Sequence, residues 1–118
     1  MAIVVNVAFN RSTLAVDVDL HEPSADGLRI QFEGVVGYRV LDERDLPRFW
    51  HSAKNDGAVN GWMLYEVTSG GWADQQKAQS PIMAEGFYSP LREWIVLSDD
   101  WCVSVLSQGQ GEPSVSKR

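Results

Sequence analysis

In residues 92–97, Trp94 and Val96 alternate with Glu93, Ile95 and Leu97, and in residues 101–106, Trp101, Val103 and Val105 alternate with Cys102, Ser104 and Leu106. Such alternation is typical of a strand whose two faces differ. Asp99 and Asp100 interrupt it, and a polar pair between two strands suits a hairpin turn, although Asp-Asp is a weaker turn pair than Asn-Gly. The densest β pattern in the chain therefore predicts a hairpin on which the other strands assemble.

The same alternation occurs in the first third of the chain. Residues 3–9 and 14–20 alternate on either side of the polar residues 10–12, which predicts a second hairpin. Residues 28–41 keep one alternation across Gly34. Glycine within a strand pattern marks a bulge or a close backbone approach, so this stretch is either one sharply bent strand or two strands that meet at a tight turn.

The remaining segments have a different character. Apolar residues at positions i, i+3 and i+4 predict one short helix over residues 43–52. Residues 62–67 return to a strand pattern. Residues 69–90 form a long polar excursion with almost no apolar helix face, so we expect at most a helical turn there. Residues 109–118 are polar and predict a disordered tail.

Together these patterns predict an α+β fold that is mainly antiparallel β, with about six or seven strands and one short helix. Many short, closely spaced strands favour a strongly curved sheet, either a partial barrel or a sandwich. We expect a single domain over residues 1–108, followed by the tail at residues 109–118. A second copy of the chain could cover an open sheet edge, which makes a homodimer plausible.

Composition and charge limit the function classes. The 118 residues include 16 acidic and 10 basic side chains, giving a net charge of −6. Nucleic acids and anionic membrane surfaces attract cationic proteins, so we expect neither as a partner. A basic protein partner is compatible with this charge, as is simple solubility. We find no basic leader or apolar run of about 20 residues, and we expect a cytoplasmic protein.

Catalytic and metal-binding patterns are weak. The single cysteine, Cys102, excludes an internal disulfide, and a dyad of Cys102 with His51 has less support than a buried, inert thiol. Asp99 and Asp100 supply too few ligands for a cation on their own. Asp17 shares a strand face with Asp19, where solvated carboxylates are the expected state. We therefore predict no catalytic residue, no metal and no cofactor.

Tryptophan is unusually frequent, with five residues in the chain. Trp94 and Trp101 flank the predicted turn, and we expect them to pack across it. Trp72 lies in a glycine-rich stretch, where it is either an interface anchor or folds back over the end of the sheet. The predicted binding residues are Trp72, Asp99 and Asp100, together with Tyr38, Arg39 and Trp62 around a pocket in the curved sheet.

Two segments, residues 32–46 and residues 93–103, resemble small bacterial proteins, some of them similar to immunity proteins of polymorphic toxins. The segments cover about a quarter of the chain. The resemblance implies a compact, non-enzymatic protein that acts by binding another protein. The alternative hypothesis is a small-molecule-binding protein or small enzyme that uses the pocket in the sheet.

Overall fold

A computed structural model describes residues 2–20, 27–42, 58–59, 63–79, 90–98 and 101–118. These residues form nine strands and one helix. The elements are β1 (Ala2–Asn10), β2 (Thr13–Leu20), β3 (Leu28–Phe32), β4 (Val35–Asp42), β5 (Ala58–Val59), β6 (Leu64–Val67), α1 (Trp72–Gln79), β7 (Leu91–Val96), β8 (Trp101–Gln108) and β9 (Ser114–Lys117).

The strands form two antiparallel sheets, neither of which closes into a barrel. Sheet 1 has the order β1-β2-β3-β9, and sheet 2 has the order β4-β8-β7-β6-β5. The chain passes from sheet 1 to sheet 2 at Gly34 and returns after Gln108. The predicted α+β class, dominated by antiparallel strands, is therefore confirmed.

The two sheets share one apolar core. Leu14, Val16, Val18, Ile30 and Phe32 of sheet 1 face Leu64, Trp94, Val96, Val103 and Val105 of sheet 2, and each is at most 1% exposed. Burying one such side chain contributes about 1.5–3 kcal/mol, so this layer dominates the stability of the fold. The opposite face of sheet 2 is buried as well, around Ile95, Leu97 and Cys102.

Both predicted hairpins form. In the first, Asn10 pairs with Thr13 across Arg11, which has a φ of 60°. In the second, Val96 pairs with Val103. The predicted helix at residues 43–52 and the turn residues Asp99 and Asp100 lie outside the described residues.

The stretch around Gly34 forms two strands that meet at a tight turn, the second of the two predicted alternatives, and these strands belong to different sheets. The residue has a φ of 63°, a left-handed conformation that glycine adopts at little cost. A Cβ there would come within 2.7 Å of the Gln108 carbonyl oxygen. The backbone also bonds across this point, from Gln108 N–H to the Gly34 carbonyl at 2.9 Å.

The prediction of a disordered tail at residues 109–118 is wrong for its second half. Ser114–Lys117 pairs with β3, and Val115 lies opposite Ile30 and packs on the core. Without β9, sheet 1 would end at β3. The backbone N–H and C=O groups of β3 bind residues 114–117, and this pairing cannot be read from their polar sequence. This strand and the two-residue β5 raise the strand number above the predicted six or seven.

Asp17 is not a solvated carboxylate, which corrects the sequence-based expectation. It is 5% exposed, and Arg29 donates two hydrogen bonds to it, Nε to Oδ1 at 2.8 Å and Nη2 to Oδ2 at 3.1 Å. Arg29 lies directly opposite Asp17 on the neighbouring strand. The hydrogen bond from Arg29 lowers the pKa of Asp17, outweighing the effect of burial.

Candidate functional site

Exposed apolar side chains of the described residues concentrate at one margin of the sandwich. Five large ones are between 40% and 47% exposed: Val5, Phe9, Tyr38, Val40 and Trp101. They lie along β1, β4 and the start of β8. Because β1 is the edge of sheet 1 and β4 is the edge of sheet 2, this margin is where the two sheets end side by side.

A groove of about 250 Å³ runs between these two edges. One wall is formed by Val4, Val5, Asn6 and Val7 of β1, and the other by Val40 of β4 and Trp101 of β8. Beyond it, the Phe9 and Tyr38 rings meet across the gap with their centroids 5.4 Å apart. We call this surface, from Val4–Val7 and Phe9 to Tyr38, Val40 and Trp101, the edge groove.

The strand register explains why these residues are apolar and yet exposed. Tyr38 pairs with Val105 and Val40 pairs with Val103, and both partners belong to the core between the sheets. Residues directly opposite each other share a face of the sheet. Tyr38 and Val40 therefore face the opposing sheet, but on an edge strand that it does not fully cover.

The wall formed by β1 follows the same rule. Phe9 pairs with Leu14, which belongs to the core, while Val4 and Val7 pack against that core from the edge. A bulge between Val4 and Asn6 leaves Val5 without a register partner. The edge groove is thus a continuation of the core to the surface.

Trp101 is fixed by the end of the preceding strand. Its N–H donates a hydrogen bond to the Ser98 hydroxyl at 3.1 Å, and that hydroxyl in turn donates to the Trp101 carbonyl.

Trp101 lies opposite Asp42, so an acidic residue stands at this end of the edge groove. The predicted contact with Trp94 is wrong, because Trp94 pairs with Val105 and lies in the core, 1% exposed.

Trp72 takes the second of its two predicted positions and folds back over the sheet. It is the first residue of α1, and its ring lies 4.5 Å from the Arg39 guanidinium carbon. The ring also lies beside Gly37, where a Cβ would be in ordinary contact with it at 3.7 Å. Trp72 and Arg39 therefore belong together, on the face of sheet 2 that points away from sheet 1.

Glu93 anchors α1 on this face. It is 1% exposed, and its Oε1 accepts a hydrogen bond from the Ala73 N–H at 2.8 Å. Gly71 allows this close approach, because a Cβ there would lie 2.6 Å from the same oxygen. Burial raises the pKa of Glu93, opposed by the N–H groups of Ala73 and Trp72 and by the charge of Arg39.

This carboxylate serves as an acceptor for the first N–H groups of a helix. The first turn of a helix has donors without partners inside the helix, and an acidic group there is favourable. A buried acid with a perturbed pKa is also a common feature of active sites. Here the helix covers it, so the arrangement of Glu93 fits a structural role.

Of the residues predicted around a pocket, the two that the structure describes, Tyr38 and Arg39, do not share one. Tyr38 and Arg39 are neighbours on β4 and point to opposite faces, because side chains alternate along a strand. Trp62, Asp99 and Asp100 lie outside the described residues. Among the described residues, another cleft, of about 150 Å³, lies between Phe32 and Trp94, near Glu33 and Glu112.

The described part of the chain contains no group of three or more His, Cys, Asp or Glu side chains placed to hold a metal ion. Cys102 is fully buried. Within the same residues, no helix has the length and apolar character needed to cross a bilayer. No family model matches the sequence, and neither curated proteins nor solved structures give a match.

Sequence reasoning missed most of the edge groove. Of its exposed side chains, only Tyr38 was among the predicted binding residues. The uncharged run of β1, with Ile3, Val4 and Val5 in succession, was the available sign, since a strand with one solvated face normally alternates. What the sequence lacked was the strand order that places β1 and β4 at the edges.

Proposed function

We propose that this protein is a non-enzymatic protein-binding module and that its partner docks on the edge groove. The observation that carries the proposal is the concentration of five exposed, large apolar side chains at one margin. Single exposed apolar residues are common, whereas a contiguous patch marks an interaction site. Two of the five, Tyr38 and Trp101, are of the residue types that most often dominate binding energy.

The shape of the site favours a macromolecular partner over a small molecule. Small-molecule pockets are concave, about 300–1,000 Å³ in volume, and carry a few convergent polar groups. The edge groove is smaller, about 250 Å³, and five of the six residues that line this volume are valine or tryptophan, the sixth being Asn6. A partner that covers both edge strands would remove more apolar surface from water than a small ligand could.

The charge of the chain favours a basic partner. A net charge of −6 attracts cationic surfaces over distances of about 8–10 Å at ordinary ionic strength. We expect the charge to set the association rate and the edge groove to set the lifetime of the complex. An immunity-like role in the cytoplasm, in which the protein occupies a basic target protein, is the specific form of this proposal.

The test begins with capture of partners from a bacterial lysate, followed by titration of the purified partner in a calorimeter. The variant Phe9→Thr/Trp101→Thr removes two anchors while keeping residues that favour strands. We expect it to weaken binding at least about 100-fold, which corresponds to about 2.8 kcal/mol, since each lost anchor residue costs about 2 kcal/mol or more.

A matched control is Tyr65→Thr, which removes a half-buried aromatic from the other face of sheet 2. It should bind like the wild type. Equal affinity of the wild type and the double variant for every purified partner would contradict the proposal. Binding that weakens between low and high salt would support the role of the acidic charge.

A further inference from the structure

We infer that the partner presents an extended segment with alternating apolar side chains and a basic end, which adds to sheet 1 as a fifth strand beside β1. This inference rests on the proposed function, because it specifies how the partner uses the edge groove. Addition of a strand to an open sheet edge is a general mode of peptide recognition: main-chain hydrogen bonds supply affinity, and pockets for alternate side chains supply specificity.

The first support is the open edge itself. Among the described residues, β1 pairs with β2 and with no other strand. Alternate residues of an edge strand point their N–H and C=O groups away from their neighbour, ready to pair with another chain. An incoming strand would satisfy these groups.

The second support is the chemistry of β1. Natural edge strands are usually blunted by charged residues, proline or bulges. The nine residues of β1 include no charged residue and no proline, and the bulge at Val5 is the one such device. Asn6–Asn10 lies beyond the bulge, a regular stretch of about 17 Å at the usual rise of a strand.

The third support is the position of the edge groove relative to this edge. Val7 and Phe9 share the face of β1 that looks toward Tyr38 and Val40, and the edge groove opens beside them. A strand added to β1 would place every second side chain over that opening. Those side chains should be apolar, and the intervening ones, which point to solvent, are unconstrained.

Charge decides between the available occupants. A second copy of this chain would carry the same net charge of −6 and be repelled, whereas a segment with Lys or Arg at one end is attracted. Asp42, opposite Trp101, places an acidic residue at one end of the edge groove. We therefore commit to a basic, extended segment of another protein.

The experiment selects displayed random 12-residue peptides on the wild-type protein, after removing those that bind the Phe9→Thr/Trp101→Thr variant. We expect the enriched peptides to alternate apolar residues with a period of two and to carry Lys or Arg at one end. The best peptide is then synthesised with single N-methyl groups along its backbone. Methyl groups on every second residue should each lower affinity about tenfold, and those between should have little effect.

Hydrogen exchange gives a second measurement on the protein. Bound peptide should slow the exchange of β1 amides that do not bond to β2 and leave β9, at the other edge of sheet 1, unchanged.

Several results would overturn the inference. One is enrichment of peptides without the two-residue period, or an N-methyl series without it. Another is slowed exchange at β9 in place of β1. A third is a dimer of the protein alone at micromolar concentration that the double variant converts to monomer, because the occupant would then be a second copy. In the first two cases a purified partner that still needs Phe9 and Trp101 would leave the proposed function intact.

Discussion

Arg92 connects sheet 2 to the segment that leads from β8 into β9. Its replacement by alanine is predicted to weaken that connection. Its guanidinium group donates two hydrogen bonds to Glu66, Nε to Oε2 at 2.6 Å and Nη2 to Oε1 at 3.0 Å. Nη1 donates to the carbonyl oxygens of Gln110 at 2.9 Å and Gly111 at 3.3 Å. The same group lies 4.7 Å from the centre of the Trp94 ring.

The expected cost follows from these contacts. The side chains of Arg92 and Glu66 are 17% and 27% exposed, so solvent partly screens their ion pair, which we place at about 1 kcal/mol. The hydrogen bond from the charged donor to the Gln110 carbonyl adds about 1.5 kcal/mol, and the contact with Trp94 about 0.5 kcal/mol. We expect Arg92→Ala to lower the free energy of unfolding by about 3 kcal/mol.

Two measurements test this value. Urea unfolding of Arg92→Ala, Glu66→Gln and the double variant gives the coupling between the two side chains, expected at about 1 kcal/mol. Hydrogen exchange at Val115 and Lys117 reports the local effect. Because Gln110 and Gly111 lead into β9, we expect exchange in this strand to accelerate more than exchange in β1 and β2.

A charge-preserving control is Arg92→Lys, which keeps the positive charge but loses the forked geometry. It should recover part of the stability and little of the protection of β9. Coupling below about 0.3 kcal/mol, together with unchanged exchange in β9, would refute the assignment of Arg92 as the link between the sheets.

Three further substitutions test separate features. Gly34→Ala should destabilise the fold by about 2 kcal/mol or more, because its φ is 63° and the new Cβ would meet the Gln108 carbonyl at 2.7 Å. Arg29 lowers the pKa of Asp17, so the pair stabilises the fold above the ordinary pKa of 3.8, and this contribution is lost as pH falls below that value. In Asp17→Asn, this loss of stability at low pH should disappear. Burial raises the pKa of Glu93, so the folded state holds its proton above the ordinary value of 4.5, and stability falls as pH rises from there through the raised pKa. In Glu93→Gln, this fall of stability with rising pH should disappear.

Urea unfolding across a pH series measures the stability of all three variants. For Gly34→Ala, a change below about 0.5 kcal/mol would contradict the close approach to Gln108. For the two acids, the relevant quantity is the slope of stability against pH. A slope that is unchanged in Asp17→Asn below pH 3.8, or in Glu93→Gln above pH 4.5, would show that the other titrating groups account for it.

The sequence determined the fold class and both hairpins, because alternation with a period of two is a local property. Residues 3–9, 14–20, 92–97 and 101–106 all fall within strands, apart from Leu97, which directly follows β7. Hydrophobic burial requires such segments to place alternate side chains on one face, whatever the rest of the chain does. Trp94 and Val96, two residues apart on β7, lie together in the core.

Only the tertiary structure decided α1 and β9. The sequence of α1 has almost no apolar face, and the helix is held by Glu93, about twenty residues further along the chain. Polar β9 is a strand because β3 offers an open edge. In both cases the partner is distant in sequence, so no local pattern could reveal the element.

The edge groove depends on the tertiary structure for the same reason. Alternation shows that Phe9, Tyr38 and Val40 are suited to an apolar face, but not whether that face is covered. Coverage depends on the order of strands within each sheet, which places β1 and β4 side by side at the margin. Local sequence sets which side chains share a face, and long-range strand pairing decides which of those faces meet water.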